Sequence, residues 1–145
     1  MEIKASIIIP CYNAEKTIEK CITSVLKNDY DDFEVIVVDD CSKDDTKKII
    51  NQIKDKRLRL IENKINSGAS FSRNNGIKNS RGSIIILLDS DSYVEKDWIK
   101  RHVQLHKEIR TDIIGGGIIG VHNTIWGKAD GFCNWCFAIP YSENQ

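Results

Sequence analysis

Four aspartates carry the strongest chemical signal in this 145-residue chain. Asp39 and Asp40 follow the apolar run Phe33-Glu-Val-Ile-Val-Val38, and Asp89 and Asp91 follow Ser83-Ile-Ile-Ile-Leu-Leu88. A single aspartate after a strand often does no more than form a turn or cap a helix. Two acidic strand ends on one rim say more. Gathered carboxylates repel unless a cation or a set of hydrogen-bond donors lies among them. In extended backbone, residues i and i+2 share a side, so Asp89 and Asp91 can meet one bound object together. Hard carboxylate ligands that leave coordination positions open suit Mg²⁺ or Mn²⁺ held jointly with a diphosphate, the metal acting as a Lewis acid on a phosphate leaving group. Arg73 lies in a helical stretch opened by Gly68 and offers a planar fork of donors toward the same rim. Alone, such an arginine is an ordinary solvated helix residue.

The elements that must position these residues alternate. Ala5-Ser-Ile-Ile-Ile9, closed by Pro10, is a continuous β-branched run of the kind buried on both faces of a parallel sheet. Asn13 reads as an N-cap, after which Ile18, Cys21, Ile22, Val25 and Leu26 recur at helical spacing. The run 33–38 is a second strand; Ser42 with Asp45 resembles a capping box ahead of the stripe Ile49, Ile50, Ile53. Arg57 to Ile61 predicts a weaker, edge-like third strand. A loop at Asn66-Ser-Gly68 opens a helix to about Asn79, Ser83–Leu88 is the strongest strand, and Glu95 to Ile109 is a helix. Ile113-Ile114 leads through Gly115-Gly116-Gly117 into another apolar strand ending at Val121. This alternation predicts an α/β fold, a mostly parallel sheet covered by helices on both faces. Ligands of such sheets sit at the carboxyl ends of the strands, which is where the aspartates fall.

Composition narrows the function classes. The 21 Lys+Arg balance 21 Asp+Glu, and that zero net charge argues against nucleic acid as a partner. No apolar run approaches the roughly 18 residues that span a bilayer, and the start of the chain lacks a signal-peptide pattern, so a cytoplasmic location is expected. Five cysteines without framework spacing predict reduced thiols. Cys133-Asn-Trp-Cys136 has no second CxxC to complete a zinc site, and His102 and His106, although spaced i, i+4, enclose no glutamate and read as ordinary helix residues. His122 is uninformative. Trp126, Phe132, Trp135, Phe137 and Tyr141 crowd the last stretch, which either packs on the domain or offers a surface for self-association or membrane contact.

Several segments in order resemble glycosyltransferase family 2, the inverting nucleotide-sugar enzymes with the GT-A fold. They are Ile7-Ile-Ile-Pro10-Cys-Tyr12-Asn13; Val38-Asp39-Asp40-Cys41-Ser42-Lys-Asp44-Asp-Thr46; Asn66-Ser-Gly68-Ala-Ser70-Phe-Ser72-Arg73-Asn74-Asn-Gly76; and Asp89-Ser-Asp91. Together they cover about residues 5 to 110. The resemblance implies that Pro10 and Tyr12 line a base pocket and that Asp40, with Asp39 beside it, hydrogen-bonds uracil or an equivalent base. It further implies that Arg73 sits near the base and diphosphate, that Asp89 approaches the ribose, and that Asp91, with Asp89, binds a divalent metal, Mn²⁺ or Mg²⁺. The implied reaction transfers a sugar from a nucleotide-diphosphate donor, most simply a UDP-sugar, to an acceptor hydroxyl with inversion. The acceptor is a carbohydrate, a lipid-linked molecule or a protein, as in cell-surface polysaccharide biosynthesis.

Two positions depart from the family's pattern. Cys41 replaces a glycine, so its backbone must avoid positive φ or tolerate strain, and Ser72 replaces an alanine. The family's catalytic base belongs to a later acidic segment that does not occur before Gln145; Glu143 is not nominated, and the catalytic residue is unassigned. The expectation is therefore a donor-binding portion of a longer enzyme, truncated, with residues 1–121 as the nucleotide-sugar-binding domain and 122–145 as the incomplete start of an acceptor-side region. The longer protein is expected to be cytoplasmic or peripheral at a membrane. Two other readings start from the same residues. One is a non-catalytic nucleotide-binding or interaction module. The other takes Asp89-Ser-Asp91 as the nucleophile motif of a haloacid-dehalogenase-like phosphatase, although 88 residues precede Asp89 where that fold puts its first strand.

Overall fold

The computed structural model describes residues 5–109, 114–116 and 136–140. Four strands form a parallel core: β1 (Ala5–Cys11), β2 (Phe33–Asp39), β3 (Leu58–Glu62) and β4 (Ile84–Leu87). Helices α1 (Ile18–Leu26), α2 (Thr46–Gln52), α3 (Ala69–Lys78) and α4 (Trp98–Ile109) alternate with them. Two further strands, β5 (Ile114–Gly116) and β6 (Cys136–Pro140), complete the sheet in the order β3-β2-β1-β4-β6-β5.

The order of the strands follows from chirality. Moving from β1 to β2 to β3, the chain steps one way along the sheet with α1 and α2 as crossovers. After β3 it returns past β1 to build β4 on the other side. Right-handed crossovers that step in opposite directions must lie on opposite faces. Residues of α1, α2 and α4 accordingly share one apolar cluster with Ile7, Ile9, Val35 and Val37, while Ile77 of α3 packs on Ile8, Ile36, Val38 and Ile85. Alternate residues of β1 and β2 therefore feed two cores, which is why both strands are buried along their whole length and read as unbroken apolar runs. Gly76 lets α3 approach the sheet, since a Cβ there would stand 2.4 Å from Ile8 Cγ2.

Pro10 lies within β1, one residue before its end, where β4 no longer flanks the strand: the register with β4 covers Ala5–Ile8 alone. Edge strand β3 is half-buried, as its weaker pattern predicts. The sheet gains β6 antiparallel to β4, with Ile84 opposite Pro140 and Ile86 opposite Ala138, and β5 antiparallel to β6. The apolar strand expected after Gly115-Gly116-Gly117 and ending at Val121 lies outside the described residues, as do Cys133 and most of the aromatic tail; β5 falls on the segment expected to lead into it. No described helix is long and apolar enough to cross a membrane.

Two expected caps are replaced. Thr17, not Asn13, precedes α1, and Asn13 sits at φ 50° with its Oδ1 accepting from the Lys43 N–H at 2.8 Å. Ser42 makes no capping box with Asp45. Its Oγ accepts from the Asn13 N–H at 2.9 Å, and Asp44 Oδ1 takes the Thr46 N–H at 3.0 Å at the start of α2. These polar residues stitch the loop after β1 to the loop after β2 rather than ending their own helices.

Candidate donor-binding site

The turn back from β3 to β4 makes the carboxyl ends of β1 and β4 the topological switch point, where diverging loops leave a crevice. A cavity of about 440 Å³ opens there. Pro10 and Cys11 line it from β1, Tyr12, Asn13, Ala14 and Thr17 from the following loop, Asp40 from just after β2, Ala69, Ser72 and Arg73 from α3, and Asp89, Ser90 and Asp91 from the loop after β4. Pro10, Tyr12, Asp40, Arg73, Asp89 and Asp91 thus meet in one place. Asp39 does not line the cavity. Its carboxylate is buried, accepting from the Ser42 N–H at 3.2 Å and facing the Cys11 thiol at 3.8 Å, so it braces the turn beneath Asp40. Asp89 and Asp91 are not in extended backbone either. The Ser92 N–H bonds the Asp89 carbonyl at 3.0 Å, closing a turn that still turns both residues to the cavity.

Donors answer the crowding of carboxylates. Asp40 is 3% exposed; Oδ1 accepts from Asn63 Nδ2 at 2.7 Å and the Ser67 N–H at 2.9 Å, and Oδ2 from the Gly68 N–H at 2.7 Å. Burial alone would raise its pKa, but the hydrogen bonds from Asn63 and from the Ser67 and Gly68 N–H groups outweigh it and hold the carboxyl below the usual range. Gly68 adopts φ 88°, a left-handed value that glycine takes without strain, and this aims its N–H at Asp40. Asp89 Oδ1 pairs with Arg73 Nη2 at 2.7 Å. Asp91 is different: it is exposed and has no ion pair or side-chain hydrogen bond among the described residues. Three of the four charges are therefore met by the protein itself, and one is left facing the cavity.

That remainder bears on a metal. Among the described residues no three His, Cys, Asp or Glu side chains converge as a cation cage. A lone available carboxylate with a second one beside it fits a hard divalent ion that completes its shell with ligand phosphates and water, and does not fit a dedicated protein cage. The thiols do not compete. Cys11 and Cys21 are buried, and burial, with the nearby aspartates, pushes the Cys21 thiol up to about 12 and Cys11 higher. His102 is also buried, edge-on to Trp98 with centroids 5.0 Å apart, in keeping with a helix residue that packs. Sequence reasoning missed Asn63, a lone loop residue without periodicity, and Thr17 and Ala14, whose types carry no chemical signal.

Residues 6–132 match the family model described as Glycosyl transferase family 2. The chain belongs to glycosyltransferase family 2. Among its curated relatives, the UDP-Glc:alpha-D-GlcNAc-diphosphoundecaprenol beta-1,3-glucosyltransferase WfgD of Escherichia coli is 38% identical over 128 residues, which is 85% of this chain and 49% of WfgD. The crystal structure of Staphylococcus aureus TarS 1–349 in complex with UDP-GlcNAc matches with a TM-score of 0.78 and 34% identity, over 83% of this chain and 36% of that one. The mannosyltransferase PcManGT of Pyrobaculum calidifontis, solved with GDP-Man and Mn²⁺, matches at 24% identity with a TM-score of 0.71, over 76% of this chain and 34% of that one, and shares the fold. The family 2 chain thus has the GT-A α/β architecture, and it spans less than half the length of these relatives. A phosphatase of the haloacid-dehalogenase type is not what it resembles: Asp89 follows the fourth strand, not the first.

Proposed function

We propose that this chain binds the donor of a glycosyltransferase that moves a sugar from a nucleoside diphosphate, a UDP-sugar, to an acceptor hydroxyl with inversion at the anomeric carbon. One observation carries this reading: a single switch-point cavity gathers an aromatic wall, a buried ionised carboxylate, an arginine and an unpaired exposed aspartate. Tyr12 is exposed at the mouth, and its ring can cover a base while its hydroxyl stays in water. Asp40, held ionised, accepts a hydrogen bond from a ring N–H of the base. Asp39 keeps the Asp40 turn in place. Arg73 and Asp89 are within reach of the ribose and diphosphate, and the arginine fork exchanges its carboxylate partner for a phosphate without losing a charged hydrogen bond. Asp91, seconded by Asp89, would hold Mn²⁺ or Mg²⁺, which when bound supplies Lewis-acid stabilisation of the departing diphosphate. No described residue is assigned the proton-accepting role toward the acceptor. The relatives act on a diphosphoundecaprenol-linked sugar in WfgD and hold UDP-GlcNAc in TarS. In keeping with these relatives, we read the acceptor of the enzyme to which this chain's site belongs as lipid-linked or polymeric, and that enzyme as cytoplasmic or peripheral at a membrane.

The test is calorimetric titration of UDP into the chain with Mn²⁺ and then with EDTA, repeated on Asp91→Ala. The expected result is binding that weakens at least about tenfold on chelation and to a similar degree in the variant. A folded wild-type chain that takes up no UDP in either condition overturns the reading.

A further inference from the structure

Asn63 ends the edge strand without belonging to any motif, yet it is 8% exposed and every polar atom of its side chain is engaged. Nδ2 donates to Asp40 Oδ1 at 2.7 Å and to Ser72 Oγ at 3.0 Å, and Oδ1 accepts from Asn75 Nδ2 at 2.8 Å. Its main-chain N–H holds the Asp39 carbonyl at 2.8 Å. The amide therefore has one orientation: turned over, its oxygen would face a carboxylate. Ser72 is fully buried and sends its own proton to the Gly68 carbonyl at 3.1 Å. Asn63 Nδ2 and the Ser67 and Gly68 N–H groups donate to Asp40, while Ser72 and Asn75 hold the Asn63 amide in place. The Ser67 N–H is shared between the two Asp40 oxygens at 2.9 and 3.1 Å, so three N–H donors serve the roughly four lone-pair positions of the carboxylate and one position is left.

We propose that Asn63 and Ser72 are a coupled pair of positioning residues that set Asp40 as the reader of the nucleobase. Ser72 stands where the family resemblance has an alanine. An alanine would leave one Asn63 N–H buried and unmet, so the serine belongs with the asparagine. A carboxylate fixed with one open acceptor position selects a base that presents an N–H there. Uracil carries a hydrogen on N3; cytosine offers a lone pair. Because a site built to bond a ligand N–H rejects the analogue without one, the pair makes the cavity prefer uridine over cytidine nucleotides. This inference rests on the nucleotide-binding reading above.

The experiment compares UDP and CDP by calorimetry, with Mn²⁺ present, on the wild-type chain, Asn63→Ala, Ser72→Ala and the double variant, each checked for folding by circular dichroism. The wild type is expected to favour UDP by at least about tenfold. Asn63→Ala brings the ratio of the two affinities close to one, Ser72→Ala shrinks it about threefold, and the double variant stays within about twofold of Asn63→Ala, because both act through one carboxylate. A merely structural role would weaken both nucleotides alike and leave the ratio unmoved; that result, or additive losses, overturns the proposal. Should Asn63→Ala not fold, the ratio in Ser72→Ala decides alone. A wild type that binds UDP and CDP equally overturns base reading while sparing the site, whereas a wild type that binds neither overturns the nucleotide reading itself.

Discussion

Cys41 sits at φ 67°, in the left-handed region, immediately after the carboxylate that faces the cavity. A side chain there costs about 1–2 kcal/mol, and glycine avoids that cost while giving back roughly 0.5–1 kcal/mol through its greater freedom when unfolded. Cys41→Gly should therefore raise stability by about 0.5–1 kcal/mol in urea unfolding, and Cys41→Val, β-branched, should lower it by about 1 kcal/mol. Equal midpoints for the two variants would show that the turn relaxes around any residue. At this scale the sequence was legible where chemistry announces itself: the aspartates at strand ends, Arg73, and the glycine whose absence at 41 implied strain. It was opaque where a polar side chain bonds across loops. Asn13 and Ser42 have cap-forming types, but each is worth more joining two loops than ending its own helix, and no local rule weighs that choice. Asn63 was invisible for the same reason.

Helix α4 buries Ile99, His102 and Val103 against the sheet. Burial, followed by the charge of His106, lowers the His102 pKa, and its Nδ1 has no hydrogen-bond partner among the described residues. The sign follows from proton uptake. As pH falls through the ordinary imidazole range near 6.5, the unfolded chain gains a proton that folded His102 resists. Stability is full above that range and declines below it until the folded group also titrates. The melting temperature should therefore drop between about pH 7.5 and 5.5. His102→Leu should flatten that drop; an unchanged slope in the variant would assign the loss to other groups. The elements themselves were largely readable, because strands fed by two cores must be apolar at every position. The caps of α1 and α2 were not, though the start of α3 after Gly68 was, and β6 was not: a five-residue strand among aromatics has no period of its own, and its place beside β4 is set by the edge that β4 offers.

At the scale of the molecule, the buried polar side chains of the described parallel strands lie at the ends of the sheet, Ser6 and Glu34 at the amino ends and Asp39 at the carboxyl end. At the amino ends, buried Glu34 accepts from Ser6 Oγ at 2.8 Å, the Arg81 N–H at 2.7 Å and Arg59 at 2.9 Å, while Ser6 Oγ takes the Gly82 N–H at 2.9 Å. One carboxylate thus ties β1 and β2 to edge strand β3 and to the segment entering β4. Glu34→Ala strands several buried donors and should cost roughly 3 kcal/mol of unfolding free energy, with UDP affinity changed less than about twofold. A large loss of affinity in a folded variant would show that the two ends are coupled. The parallel four-strand architecture was legible because alternation fixes layer order, and handedness then fixes the faces. Glu34 was not, for an acid inside an apolar strand looks like an exception until its partners are seen. Ser6 and Cys11 are five residue steps apart along extended chain, with Ile7, Ile8, Ile9 and Pro10 between them, roughly 17 Å from clamp to cavity. Changes that far apart add independently. The scaffold can thus absorb mutations at the cavity rim, one donor traded for another over many generations, while the clamp at the opposite end keeps the strands in register: novelty accumulates at one pole and heritable stability at the other.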